Sequence, residues 1–500
     1  SSLNVLFPFI VNSLSLPDDN QPGNNCDISG TAAYVLGDIC RICANSMPPA
    51  VLTVYDSIGQ HGLEVKDEVY VIEGMSAIVS NLSFDQAGKG LERLLTPMVN
   101  DLCSAIEKNN VELVVRSLEH MVAVFKYAKI NDEGSSFKLN KQQQQQYASN
   151  TTAVNMQHPV LILMNNVWNI FEQVIVKFYQ NEKVMEKLCR VYKHSIRNAK
   201  NHFLPLLEKI LNQMVEVFSK CPIPSFLYTC SICVGEFGTP SRQYNTFQVR
   251  LKVFQTYREL TKCMCQHLPS IESFISNPCL VEDYFNLSNR VCNKANDFFL
   301  NEDNKDVVSI CIKLGCVGLR LDHPEAWPTV SCFFHSFLKS SEGKNGINQQ
   351  AQENFKECFF EILQLHCKEI VRSLIYSIAD GINPRFIDDM SNDNVCISEL
   401  FYALLRINPN IVCNIINECG IEEEERRQKN DATERIIPST TADRNDFFQF
   451  AAKLNASIST NHSDDDAVKD VYNCVWEFHC LCRDKKWKFK RDSARIDSLN

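Results

Sequence analysis

The residues of this sequence best suited to chemistry are cations spaced three or four positions apart. They lie in the stretch KVMEKLCRVYKHSIRNAKNHF, and we refer to them together as the basic stripe: Lys187, Arg190, Lys193, Arg197 and Lys200. Guanidinium groups bind phosphates and carboxylates through paired N–H donors, whereas ammonium groups act as point charges. The basic stripe therefore predicts a binding site for an anionic ligand, and a phosphoserine suits it because it carries close to two negative charges.

A helix is the element that would place these cations on one face. At 100° per residue, the four cations from Arg190 to Lys200 fall within an arc of about 80°, and Lys187 lies about 60° further round. Glu186 is expected off this arc, so that it offsets little of the like-charge repulsion of a few tenths of a kcal/mol per pair. The alternative to a ligand site is a solvated helix face without a partner.

Motifs for catalysis or metal binding are missing from the sequence. It contains no P-loop, GxGxxG, HExxH, GxSxG or EF-hand pattern, and its 11 histidines form no ligand cluster. Two CxxC pairs, Cys40/Cys43 and Cys230/Cys233, lie in apolar helical stretches far apart in the chain, which is not the arrangement of a four-ligand zinc site. We therefore expect no catalytic residue, no metal and no cofactor, and we expect the function to depend on surfaces.

The composition is that of a globular protein with an acidic balance. The 500 residues include 60 Asp and Glu against 50 Lys and Arg, a net charge of -10, so the basic stripe is locally exceptional. Acidic residues elsewhere would attract the arginines of a ligand that alternates arginine with phosphoserine. The 23 cysteines lie mostly in apolar patterns, which indicates reduced thiols in an intracellular protein. No apolar run is long enough to predict a membrane span.

Helical periodicity recurs through most of the sequence, and no convincing strand alternation is present. Helix pairs that repeat every 40–47 residues are typical of HEAT and armadillo proteins. We predict an all-α HEAT-repeat α-solenoid, a superhelix of antiparallel helix pairs with a concave surface. The clearest helices are predicted at 30–47, 68–82, 87–108, 111–128, 159–179, 203–220, 247–268 and 306–321.

Three segments depart from the repeat pattern. The solenoid is predicted over 1–483, with a polar, glutamine-rich loop inserted at 131–156 and a charged loop at 421–446. Residues 484–500 form a basic tail, which we expect to be a frayed terminus and not a nucleic-acid site.

The segment MEKLCRVYKHSIRNAKNHFLPLLEKILNQMVEVF, residues 185–218, resembles the arginine-rich helix and the following helix of the transportin-SR receptors of the importin-beta family. Further similarities follow the same order along most of the chain. They are found at 32–47, 157–174, 226–238, 321–338 and 467–483.

The resemblance implies a superhelix of HEAT repeats that shuttles between nucleus and cytoplasm and contacts nucleoporins, with no direct binding to nucleic acid or membrane. Such receptors import SR splicing factors with Arg/Ser-rich domains and release them to Ran-GTP. Arg190, Lys193 and Arg197 match cargo-binding arginines of the family, and Lys187 matches another basic position. Lysine in place of arginine at 187 and 193 removes the fork geometry, and Lys200 is displaced by one residue from the family's next lysine.

The resemblance also implies that the chain corresponds to the C-terminal half of such a receptor. The main Ran-binding repeats would precede Ser1, so we expect this chain to bind Ran-GTP weakly. Three alternatives remain open, which are a bidirectional karyopherin of the importin-13 type with other cargo, a HEAT scaffold unrelated to transport, and an enzyme, in that order of preference.

Overall fold

The computed structural model describes residues 3–16, 27–47, 49–56, 62–130, 157–343, 349–380, 386, 395–429, 440–459 and 464–483. Within these ranges the secondary structure is helical, without a β-strand. The chain divides into two compact units, Ser1–Glu236 and Phe237–Asn500.

The first unit is a two-layered stack of helices. Its α-helices are α1 (Leu3–Ser13), α2 (Ile28–Ile42), α3 (Thr53–Asp56), α4 (Val65–Ser80), α5 (Phe84–Glu107), α6 (Val111–Tyr127), α7 (Pro159–Phe178), α8 (Glu182–Ala199), α9 (Leu204–Lys220) and α10 (Pro224–Phe237). Helices α2, α4, α6 and α8 pack side by side in one layer, and α5, α7 and α9 pack in the other. Each hairpin thus buries its apolar face against the next, as expected for stacked repeats.

The second unit repeats this plan. Its α-helices are α11 (Phe247–His267), α12 (Ile271–Ser276), α13 (Pro278–Lys294), α14 (Asn296–Phe299), α15 (Lys305–Gly318), α16 (Ala326–Lys339), α17 (Gln349–Asp380), α18 (Ile397–Ile407), α19 (Pro409–Lys429), α20 (Arg444–Ser459) and α21 (Asp464–Cys482). One layer contains α11, α15, α17 and α19, and the other contains α13, α16, α18 and α21.

Local capping explains where the helices around the basic stripe begin. The side chains of Asn110 and Asn181 each accept a hydrogen bond of 3.1 Å from the backbone N–H three residues on, at the starts of α6 and α8. The buried His158 caps α7, since its Nδ1 accepts from the N–H of Val160 at 3.3 Å, and Pro159 occupies the first turn. The predicted helix starts at 111 and 159 are confirmed.

Two glycines let α2 and α4 approach each other closely. A Cβ atom added at Gly37 would lie 2.4 Å from the carbonyl oxygen of Tyr70, and one added at Gly74 would lie 3.0 Å from the Cα of Gly37. Only glycine fits where two backbones come this near, so this helix contact depends on both positions.

The charged segment predicted as a loop at 421–446 is partly helical, because α19 continues through Lys429. Inter-helix ion pairs favour this extension: Arg372 of α17 pairs with Glu422, and Arg444 Nη1 of α20 lies 3.2 Å from Glu424 Oε2. The predicted loop at 131–156 and the tail at 484–500 lie outside the described residues.

One described helix, α7, has the length and composition that crossing a bilayer requires. More than half of its apolar window, 56%, is buried inside the protein, as in the core helix of a repeat stack. Of the cysteines, 22 lie in the described ranges, and none of these forms a disulfide. Burial raises the pKa of the Cys230 thiol to about 12, which keeps it protonated and unreactive.

Candidate functional site

The basic stripe lies on α8 of the first unit, with its cations in different environments. Arg190 and Arg197 are exposed, whereas Lys187 and Lys193 are half-buried. Because an α-helix rises 1.5 Å per residue, the two exposed arginines are separated by about 10.5 Å along the axis. The helix therefore presents two guanidinium forks to solvent on one side.

Glu186 lies on the same face as these cations, which corrects the expectation that it is off the arc. One residue before Lys187 corresponds to a rotation of about 100°, which places Glu186 between Arg190 and Lys193 around the helix. Its Oε1 lies 2.5 Å from Arg190 Nη2, an i,i+4 pair in which both side chains are exposed. Such a pair is worth little in water, so an anionic ligand can displace Glu186 from Arg190.

Lys187 is occupied by a partner on the neighbouring helix. Its Nζ lies 2.6 Å from Glu119 Oε1 of α6, and the lysine side chain is only 16% exposed. This contact fastens α8 to α6. In this structure Lys187 is thus a link between neighbouring helices and contributes less to the exposed surface than Arg190 does.

Lys193 and Lys200 also differ from a simple helical row. Lys193 Nζ lies 5.1 Å from the centroid of the Tyr228 ring of α10, a cation–π contact that holds the ammonium group in place. The prediction that Lys200 continues the helical face is wrong, because α8 ends at Ala199 and Lys200 has a φ of 46°. Lys200 is exposed in the turn that follows, so its direction is set by the turn and not by the helical wheel.

The opposite face of α8 is buried in the core. Tyr192 is fully buried, its hydroxyl donates to Gln213 Oε1 of α9 at 2.8 Å, and its ring stacks 6.1 Å from that of Trp168 of α7. Asn198 Nδ2 donates to the carbonyl of Phe125 in α6 at 2.5 Å. The basic stripe is therefore carried by a helix with fixed contacts to three neighbours.

His194 reports the positive electrostatic field of this surface. Its side chain is half-buried, and burial is the largest cause of a pKa lowered from 6.5 to about 4. The remaining causes are four nearby cations: Lys193, Arg197, Lys126 and Arg190. Lys126 belongs to α6, so the charges that act on His194 come from two helices.

The lowered pKa of His194 predicts a loss of stability on acidification. Between about pH 6.5 and pH 4 the unfolded chain binds a proton at this position and the folded chain does not, so the free energy of unfolding falls as the pH falls. His194 contributes at most about 1.4 kcal/mol per pH unit to the slope of the free energy of unfolding against pH. Urea unfolding at several pH values measures this pH dependence. In His194→Gln the free energy of unfolding should vary less with pH over this range. An unchanged slope in His194→Gln would contradict the assignment.

Lys126 is the cation that the sequence reasoning missed. Its Nζ lies 2.6 Å from Glu73 Oε1 of α4, and Arg41 Nη1 of α2 lies 2.9 Å from Glu73 Oε2. Glu73 is buried, so one carboxylate joins cations from two neighbouring helices. No local sequence pattern connects Lys126 with the basic stripe. The connection comes from tertiary structure, because α6 packs against α8.

A metal or thiol centre is not indicated by the geometry. In the described ranges, no three side chains of His, Cys, Asp and Glu are grouped closely enough to share a metal ion. Cys230 and Cys233 lie within α10, and Cys40 and Cys43 lie at the end of α2. Burial also raises the pKa of Cys40 to about 12, which disfavours the thiolate that metals bind.

The stacked helix pairs of both units are the repeating arrangement of an α-solenoid. Residues 158–263, which include α8, match the family model described as the Transportin-3/Importin-13 fourth TPR domain. The matched segment covers less than half of the chain.

Similar proteins extend the match over most of the chain. Importin-13 from Homo sapiens is 21% identical over 392 residues, which are 76% of this chain and 38% of that protein. Transportin MOS14 from Arabidopsis thaliana is 20% identical over 391 residues, 76% of this chain and 36% of that protein. The chain thus aligns with well under half the length of these relatives.

A solved structure shares the fold. The structure titled "Importin13 cytosolic state" matches with a TM-score of 0.66 and 14% identity, over 95% of this chain and 47% of that one. The predicted all-α HEAT-repeat solenoid is confirmed.

Proposed function

We propose that this chain is part of an importin-beta-type nuclear transport receptor that carries Arg/Ser-rich, phosphorylated cargo such as SR splicing factors. The observation that carries the proposal is the exposed pair Arg190 and Arg197 on a rigidly seated helix, inside the segment that matches the Transportin-3/Importin-13 domain. The relatives are named as an importin and a transportin, which supports transport as the function and disfavours an enzyme.

The spacing of the cations suits a peptide in which serines alternate with arginines. Along α8, the rise from Arg190 to Lys193 is about 4.5 Å, and that from Lys193 to Arg197 is about 6 Å. Alternate residues of an extended peptide are about 6.6 Å apart. Successive phosphoserines would thus each meet a cation, with forks at the two ends and the ammonium group of Lys193 between them.

Acidic residues on the same surface suit the arginines of such a peptide. Glu182 and Glu186 lie toward the beginning of α8, and the exposed arginines lie further along it. Glu119 of α6 is nearby, paired with Lys187. A ligand with both signs of charge would find partners for each, whereas a continuous polyanion would be repelled by the carboxylates.

The remaining parts of the proposal follow from the receptor class. The whole receptor would shuttle between nucleus and cytoplasm, pass the pore by contacts with nucleoporins, and release its cargo when Ran-GTP binds. For this chain we propose cargo binding on the basic stripe without catalysis, metal or cofactor.

Peptide titration tests the proposal. A phosphorylated Arg-Ser peptide and its unphosphorylated form are titrated against the wild type and against Arg190→Asp/Arg197→Asp. Loss of two charge-assisted hydrogen bonds, each worth about 1.5–3 kcal/mol, predicts binding of the phosphopeptide that is weaker by at least about 100-fold. Lys89→Asp/Lys220→Asp is the control, because it makes the same change of charge at two exposed lysines of the same unit.

The outcomes separate the candidates. A large loss in the stripe variant, a small loss in the control and a preference for the phosphopeptide support the proposal. Equal affinity in all combinations overturns the Arg/Ser assignment. A receptor of the importin-13 type with other cargo then becomes the better candidate, since Importin-13 is among the similar proteins.

A further inference from the structure

A cavity of about 610 Å³ lies in the first unit, enclosed by α3, α4, α5 and α6. Helix α3 has only 4 residues, whereas α5 and α7 have 24 and 20. The Tyr55 hydroxyl at the end of α3 donates to the carbonyl of Leu94 in α5 at 2.9 Å. The cavity extends from this contact along α5 to Lys108, so a long side of α5 lines it.

The lining combines an apolar floor with charged walls. Tyr55, Ile72 and Met98 are buried and form part of the floor. Six ionised side chains stand around them, which are Asp56, Glu68, Arg93, Asp101, Lys108 and Arg116. A concave site of several hundred Å³ with an apolar base and a few polar groups is the usual form of a ligand site.

Two ion pairs use four of these six charges. The Nε of Arg93 lies 3.2 Å from Asp56 Oδ1, and the Nη2 of Arg116 lies 2.7 Å from both carboxylate oxygens of Glu68. The side chains of Asp101 and Lys108 remain. Neither has a hydrogen bond or an ion pair with another residue in the described ranges.

The two unpaired charges have a defined spacing. Asp101 and Lys108 are seven residues apart on α5, which is close to two full turns, so they lie on one side of the helix about 10.5 Å apart along its axis. Residues three positions apart in an extended peptide are separated by about 10 Å. An extended peptide could therefore present one charge to each of them.

We propose that this cavity binds an extended, unphosphorylated segment of a protein partner in which an arginine and an acidic residue are three positions apart. The guanidinium group binds Asp101, and the acidic side chain binds Lys108. The arginine stem lies against the apolar floor. Pro97 of the lining has no N–H, so the carbonyl of Arg93 lacks its usual helical donor and is a further acceptor in this wall.

The charges around Tyr55 favour a cation at this end of the cavity. Burial raises the pKa of Tyr55, and the negative charges of Asp101, Glu68 and Asp56 raise it further. A guanidinium group is more weakly hydrated than an ammonium group, so it enters such a cavity at lower cost. A nucleic acid would bring further negative charge to the unpaired Asp101, and a peptide with both signs of charge suits the lining better.

Short capped peptides test the proposal. Arg-Ala-Ala-Asp and Asp-Ala-Ala-Arg are titrated calorimetrically against the wild type, because two charges do not fix the chain direction. We expect one order to bind more tightly, and citrulline in place of its arginine to weaken binding about 10-fold through loss of a charge-assisted contact. Asp101→Asn should weaken the arginine peptide by a similar factor. Citrulline should then have no further effect, since both changes remove the same contact.

Lys108→Met tests the other end of the peptide in the same way, with asparagine in place of the peptide aspartate. Glu107→Gln and Lys89→Met are the matched controls, because both residues are exposed on α5 and lie outside the cavity lining. Ser104 lines the cavity, and Ser104→Trp should fill it and abolish binding without a change of charge. Thermal unfolding checks that each variant is folded.

The site is independent of the proposed function, since it uses neither a phosphate nor the basic stripe. Arg190→Asp/Arg197→Asp should therefore bind these peptides like the wild type, and a failure here leaves the phosphopeptide proposal unaffected. The inference is overturned if the citrulline peptide binds the wild type as tightly as the arginine peptide does. It is also overturned if folded Ser104→Trp keeps full affinity, or if the effects of Asp101→Asn and citrulline are additive.

Discussion

Replacing Tyr192 by alanine is expected to lower the free energy of unfolding by about 3–5 kcal/mol, because it leaves a cavity between three helices. The ring is fully buried between Trp168 and Phe171 of α7, whose centroids lie 6.1 and 5.9 Å away. The same change should weaken binding of the phosphopeptide, since Tyr192 seats the helix that carries the basic stripe. Urea unfolding and peptide titration measure the two effects.

Tyr192→Phe is the matched control for this prediction. It keeps the ring and removes the hydroxyl, which donates to Gln213 Oε1 at 2.8 Å. Loss of one hydrogen bond predicts a destabilisation of about 1 kcal/mol and unchanged peptide affinity. If alanine and phenylalanine at this position gave the same unfolding midpoint, packing of the ring would not be what holds α8 in place.

The second large effect is expected at Arg250, a buried arginine at the start of α11. Its Nε donates to the carbonyl of Gly238 at 2.9 Å, its Nη2 lies 2.5 Å from Asp297 Oδ1, and the guanidinium carbon lies 5.0 Å from the Phe298 ring centroid. Arg250→Ala removes these contacts and leaves the Gly238 carbonyl without this donor. We therefore expect the free energy of unfolding to fall by about 3 kcal/mol.

Two further variants separate the parts of this contact. Arg250→Lys keeps the charge but loses the planar guanidinium group. We therefore expect it to destabilise the fold nearly as much as Arg250→Ala does. Asp297→Asn removes the ion pair but keeps the hydrogen bond from Arg250 to the Gly238 carbonyl. Because Asp297 is 43% exposed, the free energy of unfolding should fall by less than about 1 kcal/mol. A lysine variant as stable as the wild type in urea unfolding would show that charge alone is sufficient at this position.

Local features of the sequence predicted the helices well. The predicted segments 111–128 and 159–179 correspond to Val111–Tyr127 and Pro159–Phe178, because capping residues and a 3.6-residue apolar period are properties of the segment itself. The end of α8 was less predictable. Position 200 carries a lysine and not a glycine, so the sequence does not mark the residue whose φ is positive.

The candidate site was predicted only in part, because its electrostatics are not local. Periodicity places the cations of α8 relative to one another, but it does not show that Lys187 is paired with Glu119 or that Lys193 lies over Tyr228. Lys126 is separated from Arg197 by a long insertion in the sequence, and only the packing of α6 on α8 brings them together.

The close contact between Gly37 and Gly74 has a consequence for this electrostatic surface. Gly74 adjoins Glu73, and Gly37 lies one turn before Arg41 on the facing helix. A single methyl group added at either glycine would clash with the facing helix, so we expect α2 and α4 to move apart and the distance from Arg41 to Glu73 to increase. Glu73 would then keep Lys126 as its nearer cation, so the close approach of two backbones also protects the pairing of a buried carboxylate.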